Sequence, residues 1–301
     1  MDQVRSIVAA VGQFPQDDPV LARAAEIARA HQAKLTIVHI IESLTGFDYA
    51  SMDLRRIQHQ MRLDARENVE TAVAKQVVGV AEIDVRIETG SPFLRLIELI
   101  DEISADLVVM RAHQRDSILE KIIGSTTDRV IRASCAPVLV IKRPVKQTYQ
   151  RVVVATDTPD ESATAVAFVA ALFPLTELHM VHVVQIPPQF EAAMLRAGSD
   201  QASIAAHRDV LVHKAKAYMR DMSEQLANRP IRSTTRVALG DPAKVLVQAT
   251  WSPKVDLIVL GGGNTTGLIR RALLGSVTRR VLRTAACDVL VIRPVLRDAS
   301  E

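Results

Sequence analysis

The chain has 301 residues, of which 48% are apolar and 24% charged, with a formal charge of +3 and an isoelectric point near 9.0. These proportions exclude a disordered chain, and the mild positive charge falls short of the concentrated basic surface of a dedicated nucleic-acid binder. The longest apolar runs, such as Ala165–Phe173, are far below the roughly 20 residues needed to cross a bilayer, so no membrane span is expected.

At roughly 150 residues per domain the length suggests two domains, each able to bury its own core. Aromatic residues make up only 3%, so the cores must be built from Ala, Val, Leu and Ile, which fill parallel sheets covered by helices on both faces. Residues 1–11 carry Asp2 and Arg5 before a short apolar run and read as a first strand rather than a secretion signal. Short β-branched runs then alternate with longer segments of helical period, the pattern of a βαβ series. Strands are expected at Ser6–Val11, Lys34–Ile40, Ala81–Ile87, Asp106–Met110 and Val138–Ile141, with helices near Pro19–His31, Met52–Val78, Pro92–Ser104 and Ile118–Ala133. Pro144 and several polar residues interrupt the pattern over 143–150. It then resumes with strands at Arg151–Ala155, Glu177–Val183, Ile231–Ala238, Asp256–Leu260 and Val289–Ile292, and helices at Glu161–Phe173, Gln201–Ala227, Pro242–Thr250 and Arg270–Ala285.

The two series are copies of one another. Asp106–Met110 (DLVVM) matches Asp256–Leu260 (DLIVL) 150 residues on; Gly124-Ser125 matches Gly275-Ser276 and Pro137–Ile141 matches Asp288–Ile292, both 151 residues on. Leu35–Ile40 pairs with Leu178–Val183, and Gly90-Ser91-Pro92 with Gly240-Asp241-Pro242. One extra residue therefore entered between the Asp-Leu strand and the Gly-Ser pair of the second copy. The expected domains are residues 1–144 and 149–296, each a doubly wound, five-stranded parallel sheet of the Rossmann-like kind. The Ser91-Pro92 and Asp241-Pro242 pairs read as helix caps followed by first-turn prolines.

In such sheets ligands bind beyond the C-terminal strand ends where strand order reverses. If the first and fourth strands are neighbours there, the second copy's site is framed by the loops at Asp157 and Gly261. The latter loop reads Gly261-Gly262-Gly263-Asn264-Thr265-Thr266-Gly267, ahead of a helix carrying Gly275-Ser276-Val277-Thr278. Glycines let backbone N–H groups approach phosphate oxygens, and a helix N-terminus adds donors and a favourable dipole. A glycine run after a strand equally serves a tight turn, so this segment alone leaves both readings open.

Val154-Ala155-Thr156-Asp157, Val181-His182-Val183 and Leu274-Gly275-Ser276-Val277-Thr278 followed by Val281-Leu282-Arg283 together resemble the universal stress protein family. Nucleotide-binding members of that family carry Gly-x2-Gly-x9-Gly-Ser/Thr after the fourth strand. The resemblance covers essentially the whole chain, twice, and implies an adenine nucleotide alpha hydrolase-like fold in each half. It implies contacts to adenine and ribose from Ala155, Thr156 and Asp157, a base pocket lined by Val183, and phosphate contacts from Gly261 or Gly262 and from Gly275, Ser276, Val277 and Thr278. The second motif glycine falls at Thr265 when counted back from Gly275, or at Asn264 when counted forward from Gly261. A non-glycine residue held in a left-handed conformation costs about 1–2 kcal/mol, about a tenfold loss of affinity or less. In the first copy Gly12 takes the place of the aspartate, and Arg111 and Gln114 replace both loop glycines ahead of Gly124. No ordinary ATP site is expected there; Arg111, His113 and Arg115 offer charge for a different anion or are simply solvated.

Other residues point to structure rather than chemistry. His39 and His182 close equivalent strands and read as structural histidines, and no His-x3-His or Cys-x2-Cys zinc spacing is present. Cys135 and Cys287 sit in corresponding places and are expected to be buried small apolar residues in a reducing compartment. Ser276 lacks an evident base-and-orienter pair in local sequence and reads as a cap and phosphate donor. Arg270, Arg271, Arg279, Arg280 and Arg283 make one helix basic, and they read as solvating its outer face, the alternative being that one or two of them hold phosphate.

The resemblance further implies that the alike fifth strands, Val138–Ile141 and Val289–Ile292, pair and cover each other's edges. The long helices at 52–78 and 201–227 are the regions expected to be shaped for a ligand, a protein partner or a homodimer contact. Three functional readings remain open. One is a cytoplasmic stress-response protein binding ATP or another adenine nucleotide mainly in the C-terminal copy, with no cofactor required. A second is a stress scaffold or interaction protein that has lost nucleotide binding; the third is a slow ATPase or a relative of the nucleotide alpha hydrolases.

Overall fold

The computed structural model describes residues 4–42, 54–112, 125–157, 159–227, 231–261 and 274–293. Among these, contacts divide the chain into two compact units: residues 4–148 with 288–293, and residues 149–261 with 274–287.

The first unit contains β1 (Ser6–Val11), α1 (Asp18–His31), β2 (Lys34–Ile41), α2 (Leu54–Gln76), β3 (Ile83–Thr89), α3 (Pro92–Glu102), β4 (Leu107–Arg111), α4 (Ser125–Ala133) and β5 (Val138–Ile141). The strands lie in the order β3-β2-β1-β4-β5, all parallel. Helix α1 packs on β1, β2 and β4 and touches α2, whereas α3 packs on β2 and β3 and touches α4. The two helix pairs thus form two layers, as right-handed crossovers require when the chain winds outward from β1 and then returns on the other side. Ile7, Leu35, Ile37, Leu107, Leu139 and Ile141 are fully buried between these layers, which is why their strands read as continuous apolar runs. The outermost strand β3 is only partly covered, and its sequence accordingly mixes charge with β-branched residues.

The second unit repeats the plan with β6 (Arg151–Thr156), α5 (Pro159–Leu172), β7 (Glu177–Val184), α6 (Pro188–Arg196), α7 (Gln201–Leu226), β8 (Arg232–Leu239), α8 (Pro242–Thr250), β9 (Leu257–Gly261) and α9 (Ser276–Thr284). Its strands run parallel in the order β8-β7-β6-β9. Both repeats are therefore α/β, doubly wound and Rossmann-like, with the first and fourth strands side by side. The last strand, β10 (Asp288–Ile292), groups by its contacts with the first unit, where it pairs antiparallel to β5 through Val289↔Val140, Leu290↔Leu139 and Val291↔Val138. The expected contact between fifth strands is present, and all four residues of β5 are buried.

Several element ends differ from the sequence expectation for identifiable reasons. Strand β3 starts and ends two residues later than expected, continuing its pairing with β2 until Gly90, whose φ of +147° turns the chain and whose N–H donates to Ile41 O at 3.0 Å. Gly240 does the same after β8, at φ +124° with its N–H on Val184 O at 3.1 Å. Asp241 caps α8 by accepting from Lys244 N at 2.7 Å, whereas Ser91 makes no side-chain cap on α3. Helix α6, nine residues long and with none of its side chains buried, was not expected. Cys135 is exposed in the turn after α4, contrary to expectation, while Cys287 is buried. No described helix is long and apolar enough to cross a membrane.

Asp106 and Asp256, expected as the first residues of the fourth strands, stand just outside them and act as clamps. The Asp106 carboxylate accepts from Arg5 N at 2.7 Å and Ser6 N at 2.9 Å; Asp256 accepts from Gln150 N at 2.8 Å and Arg151 N at 3.1 Å. Each locks the start of its fourth strand to the start of its first strand. Replacing either by Ala orphans two N–H groups and is expected to lower stability by about 1–3 kcal/mol, read from urea midpoints, with Asn costing less.

The equivalent histidines lie two residues inside the ends of β2 and β7. Burial holds the His39 and His182 imidazoles below the ordinary histidine range, opposed by the neighbouring carboxylates Asp17 and Asp157 respectively. A folded-state pKa below the unfolded one means that the unfolded chain binds more protons in the acid range. This stability contribution is therefore complete above the unfolded value near 6.5 and is lost as pH falls below it. Urea midpoints should drop between about pH 7 and about pH 5.5, and the double variant His39→Gln/His182→Gln should flatten that slope.

Candidate functional site

The C-terminal ends of β6 and β9 carry Ala155, Thr156, Asp157 and Gly261, four of the residues expected to bind a nucleotide. Register Val152↔Leu257 to Val154↔Val259 sets the two strands in parallel, so the chain leaves β6 through Asp157 and leaves β9 at Gly261 on the same side. Ala155 is half-buried, Thr156 buried and Asp157 exposed. Thr156 is turned inward: its hydroxyl reaches Val181 O at 3.3 Å and Met219 Sδ at 3.3 Å and lies 3.4 Å from His182 Nδ1. His182 in turn meets the Tyr218 ring edge-on, with centroids 5.9 Å apart. The Thr156 side chain thus anchors β6 to β7 and α7, which leaves Asp157 as the outward group of the pair. Val183, half-buried, follows directly on the paired Thr156↔His182 rung.

Gly275 is the N-cap of α9 and, having no side chain, supplies no capping acceptor to the first turn. Ser276 is exposed, Val277 half-buried and Thr278 buried. Neither Gly261 nor Gly275 is demanded by the protein itself. Both have ordinary backbone angles; among the described residues an added Cβ would meet nothing within 4 Å at Gly261 and only Thr278 Oγ1 at 3.8 Å at Gly275. A glycine that the described packing does not require is compatible with a ligand that approaches the main chain closely. Gly262, Asn264 and Thr265, also expected in the phosphate loop, lie outside the described residues, as do Arg270 and Arg271. Of the remaining arginines, Arg279 donates to Leu274 O at 3.5 Å and Arg280 pairs with Asp241 at 3.5 Å, so both are turned toward protein groups. Among the described residues no cluster of three His, Cys, Asp or Glu side chains is arranged to hold a metal ion.

The equivalent place in the first repeat is filled by the protein. Five residues beyond Gly12, Asp17 accepts from Gly12 N at 2.6 Å and Gln13 N at 2.8 Å through one carboxylate oxygen. Its other oxygen lies 2.6 Å from Arg111 Nε, with Asp17 only 2% exposed. In the second repeat the matching residue, five beyond Asp157, is Ser162, whose hydroxyl accepts from Asp157 N at 3.1 Å, and the residue matching Arg111 is Gly261. With Asp for Ser and Arg for Gly, the first repeat holds an ion pair of a buried carboxylate and a half-buried guanidinium at the places of a hydroxyl and a glycine. The anion-attracting role open to Arg111 from sequence is taken by Asp17; His113 and Arg115 lie outside the described residues. Thr127 donates to Arg111 O at 3.1 Å and fixes the backbone of this closed corner. Asp17 and Ser162 escaped the sequence reading, although their equal spacing from Gly12 and Asp157 was visible once the copies were aligned.

The family model described as the universal stress protein family matches residues 3–142 and again residues 148–293. A universal stress protein of Methanocaldococcus jannaschii is 29% identical over 156 residues, spanning 51% of this chain and 87% of that protein. A putative universal stress protein of Staphylococcus aureus strain USA300 is 30% identical over 141 residues, spanning 46% of this chain and 84% of that protein. Among solved structures, a universal stress protein from Archaeoglobus fulgidus has a TM-score of 0.67 at 17% identity, with 97% of each chain covered, a likeness of fold. With one half after the other matching the family model, the chain belongs to the universal stress protein family and carries two of its domains in tandem.

Proposed function

We propose that this protein is a cytoplasmic stress-response protein that binds ATP or another adenine nucleotide in its C-terminal domain and signals by conformation or choice of protein partner, without catalysis. The domains in this reading are residues 1–144 and 149–296. The observation that carries it is the pair Gly261 and Gly275, required neither by backbone angle nor by packing among the described residues, with Gly275 at the head of an α9 first turn that no described side chain caps. Asp157 stands opposite, exposed, with its N–H held by Ser162, a placement suited to a ribose hydroxyl or base donor. The base would lie against Ala155 and Val183, the phosphates against the backbone of Gly261 and Gly262 and of Ser276, Val277 and Thr278. The spacing at Asn264 and Thr265 weakens the phosphate loop relative to the family motif. That departure favours the second reading, a stress scaffold without nucleotide, acting through a protein partner or as a homodimer.

The two readings separate by calorimetric titration of the full chain with ATP, ADP and AMP. Saturable binding that weakens at least about tenfold in Asp157→Ala supports the first; no heat at millimolar nucleotide, or an isotherm unchanged by that substitution, leaves the scaffold. A Ser276→Ala variant should lose less than about tenfold, because its backbone N–H remains.

The first repeat is expected to contribute no nucleotide response, because Asp17 and Arg111 neutralise each other within it. Removing only the cation in Arg111→Gly leaves a buried carboxylate unpaired. Arg111 is 22% exposed, so the expected loss is about 2–3 kcal/mol, below the roughly 3–5 kcal/mol of a fully buried pair. The double variant Asp17→Ser/Arg111→Gly should recover at least half of that in urea unfolding.

A further inference from the structure

Beyond β7, on the side away from β6, the C-terminal ends of β7 and β8 open into a separate cavity of about 390 Å³, within the size range of small-molecule sites. None of its lining residues belongs to the nucleotide crevice. Val184, Ile186 and Leu239 form an apolar wall, Glu191 enters from the first turn of α6, and Arg208 enters from α7. Pro187 and Pro188 turn the chain from β7 into α6, and the Phe190 and His207 rings, 6.0 Å apart, seat that helix on α7.

Two features of this lining lack an account in the fold. Leu239 is 56% exposed although it stands beside the buried Val184 and Ile186, so a large apolar side chain at a strand end is left uncovered. Glu191 and Arg208 line the same cavity, yet among the described residues they form no ion pair with each other or with any other group. Asp241, the cavity's other acid, is committed to capping Lys244 N and to Arg280. One acid and one base thus face the cavity without a committed counter-charge, beside one uncovered apolar surface.

A ligand that complements this set carries a positive and a negative group and an apolar body. A dianion such as a phosphate monoester meets Arg208 but is repelled by Glu191 and Asp241; a purely cationic ligand leaves Arg208 unmatched. We propose that the β7–β8 cavity binds a small zwitterion with an aliphatic body, of the class of apolar α-amino acids. Its carboxylate pairs with Arg208, its ammonium with Glu191, and its side chain covers Leu239 against Val184 and Ile186. Bidentate guanidinium–carboxylate geometry favours arginine for the first of these contacts.

Calorimetric titration of the full chain with L-leucine, 4-methylpentanoate and 3-methylbutylamine separates the contributions, because the last two each lack one charge. Leucine is expected to bind saturably with a millimolar or lower dissociation constant, and each single-charge analogue at least about tenfold more weakly. Arg208→Gln should bring leucine down to the level of the amine, and Glu191→Gln to that of the carboxylate. Neither side chain is buried, and circular dichroism verifies that both variants fold. Saturating ATP should leave the leucine isotherm unchanged, whether or not ATP itself binds. The proposal is overturned by absence of saturable leucine binding up to about 20 mM, by equal binding of the three probes, by insensitivity to both substitutions, or by competition with ATP.

Discussion

The main-chain N–H that follows the first strand of each repeat needs an acceptor, and the way each repeat supplies one separates the two halves of this protein. In the second repeat the Ser162 hydroxyl accepts from Asp157 N, a neutral contact that calls for no counter-charge at Gly261. In the first, the Asp17 carboxylate takes the N–H groups of Gly12 and Gln13. A buried carboxylate must then be matched, and Arg111, at the place of Gly261, matches it. The first choice, Ser or Asp, thus constrains the second, Gly or Arg. The two repeats keep the same fold while one carries a self-neutralised Asp17–Arg111 corner and the other Ser162 and Gly261 at the matching positions.

The rest of the scaffold holds that corner in place from below. Asp106 and Asp256 tie the starts of the first and fourth strands together, and the inward Thr156 hydroxyl ties the end of β6 to β7 and α7. With both ends of β6 fixed, Asp157 and Gly261 emerge side by side from a rigid sheet, the circumstance in which loop residues are placed reproducibly for a ligand. In the first unit, pairing of β10 with β5 covers a wholly apolar strand that would otherwise present an unpaired edge. The Asp288 carboxylate, 3% exposed, accepts from Lys142 N at 2.8 Å and Arg143 N at 3.2 Å, so the exit of β5 is secured by the same kind of clamp.

Much of this was legible in the residues. The strands and most helices follow from alternation between β-branched runs and helical period, because a sheet buried on both faces admits little else at its central strands. The positions of Asp157, Gly261 and the Gly275–Thr278 turn follow from aligning the two copies. Helix α6 was missed because it is short, nine residues, and its apolar positions are too few to mark a helix by period alone. Cys135 was misjudged because its place in the repeat matches that of buried Cys287, while exposure depends on the packing of the α4–β5 turn.

By itself the sequence determined the tandem repeat, the doubly wound order and the family, because these rest on local periodicity and on motifs that survive alignment of one half with the other. Only the tertiary structure decided which charges are spent within the protein. Asp17 and Arg111 are separated by 94 positions, and nothing local marks them as partners; the β1–β4 pairing brings them together. The same holds for the inward turn of Thr156 and for Glu191 and Arg208, which share a cavity without neutralising each other. Charge pairing and solvation are set by distances through space, and those exist only once the sheet has formed.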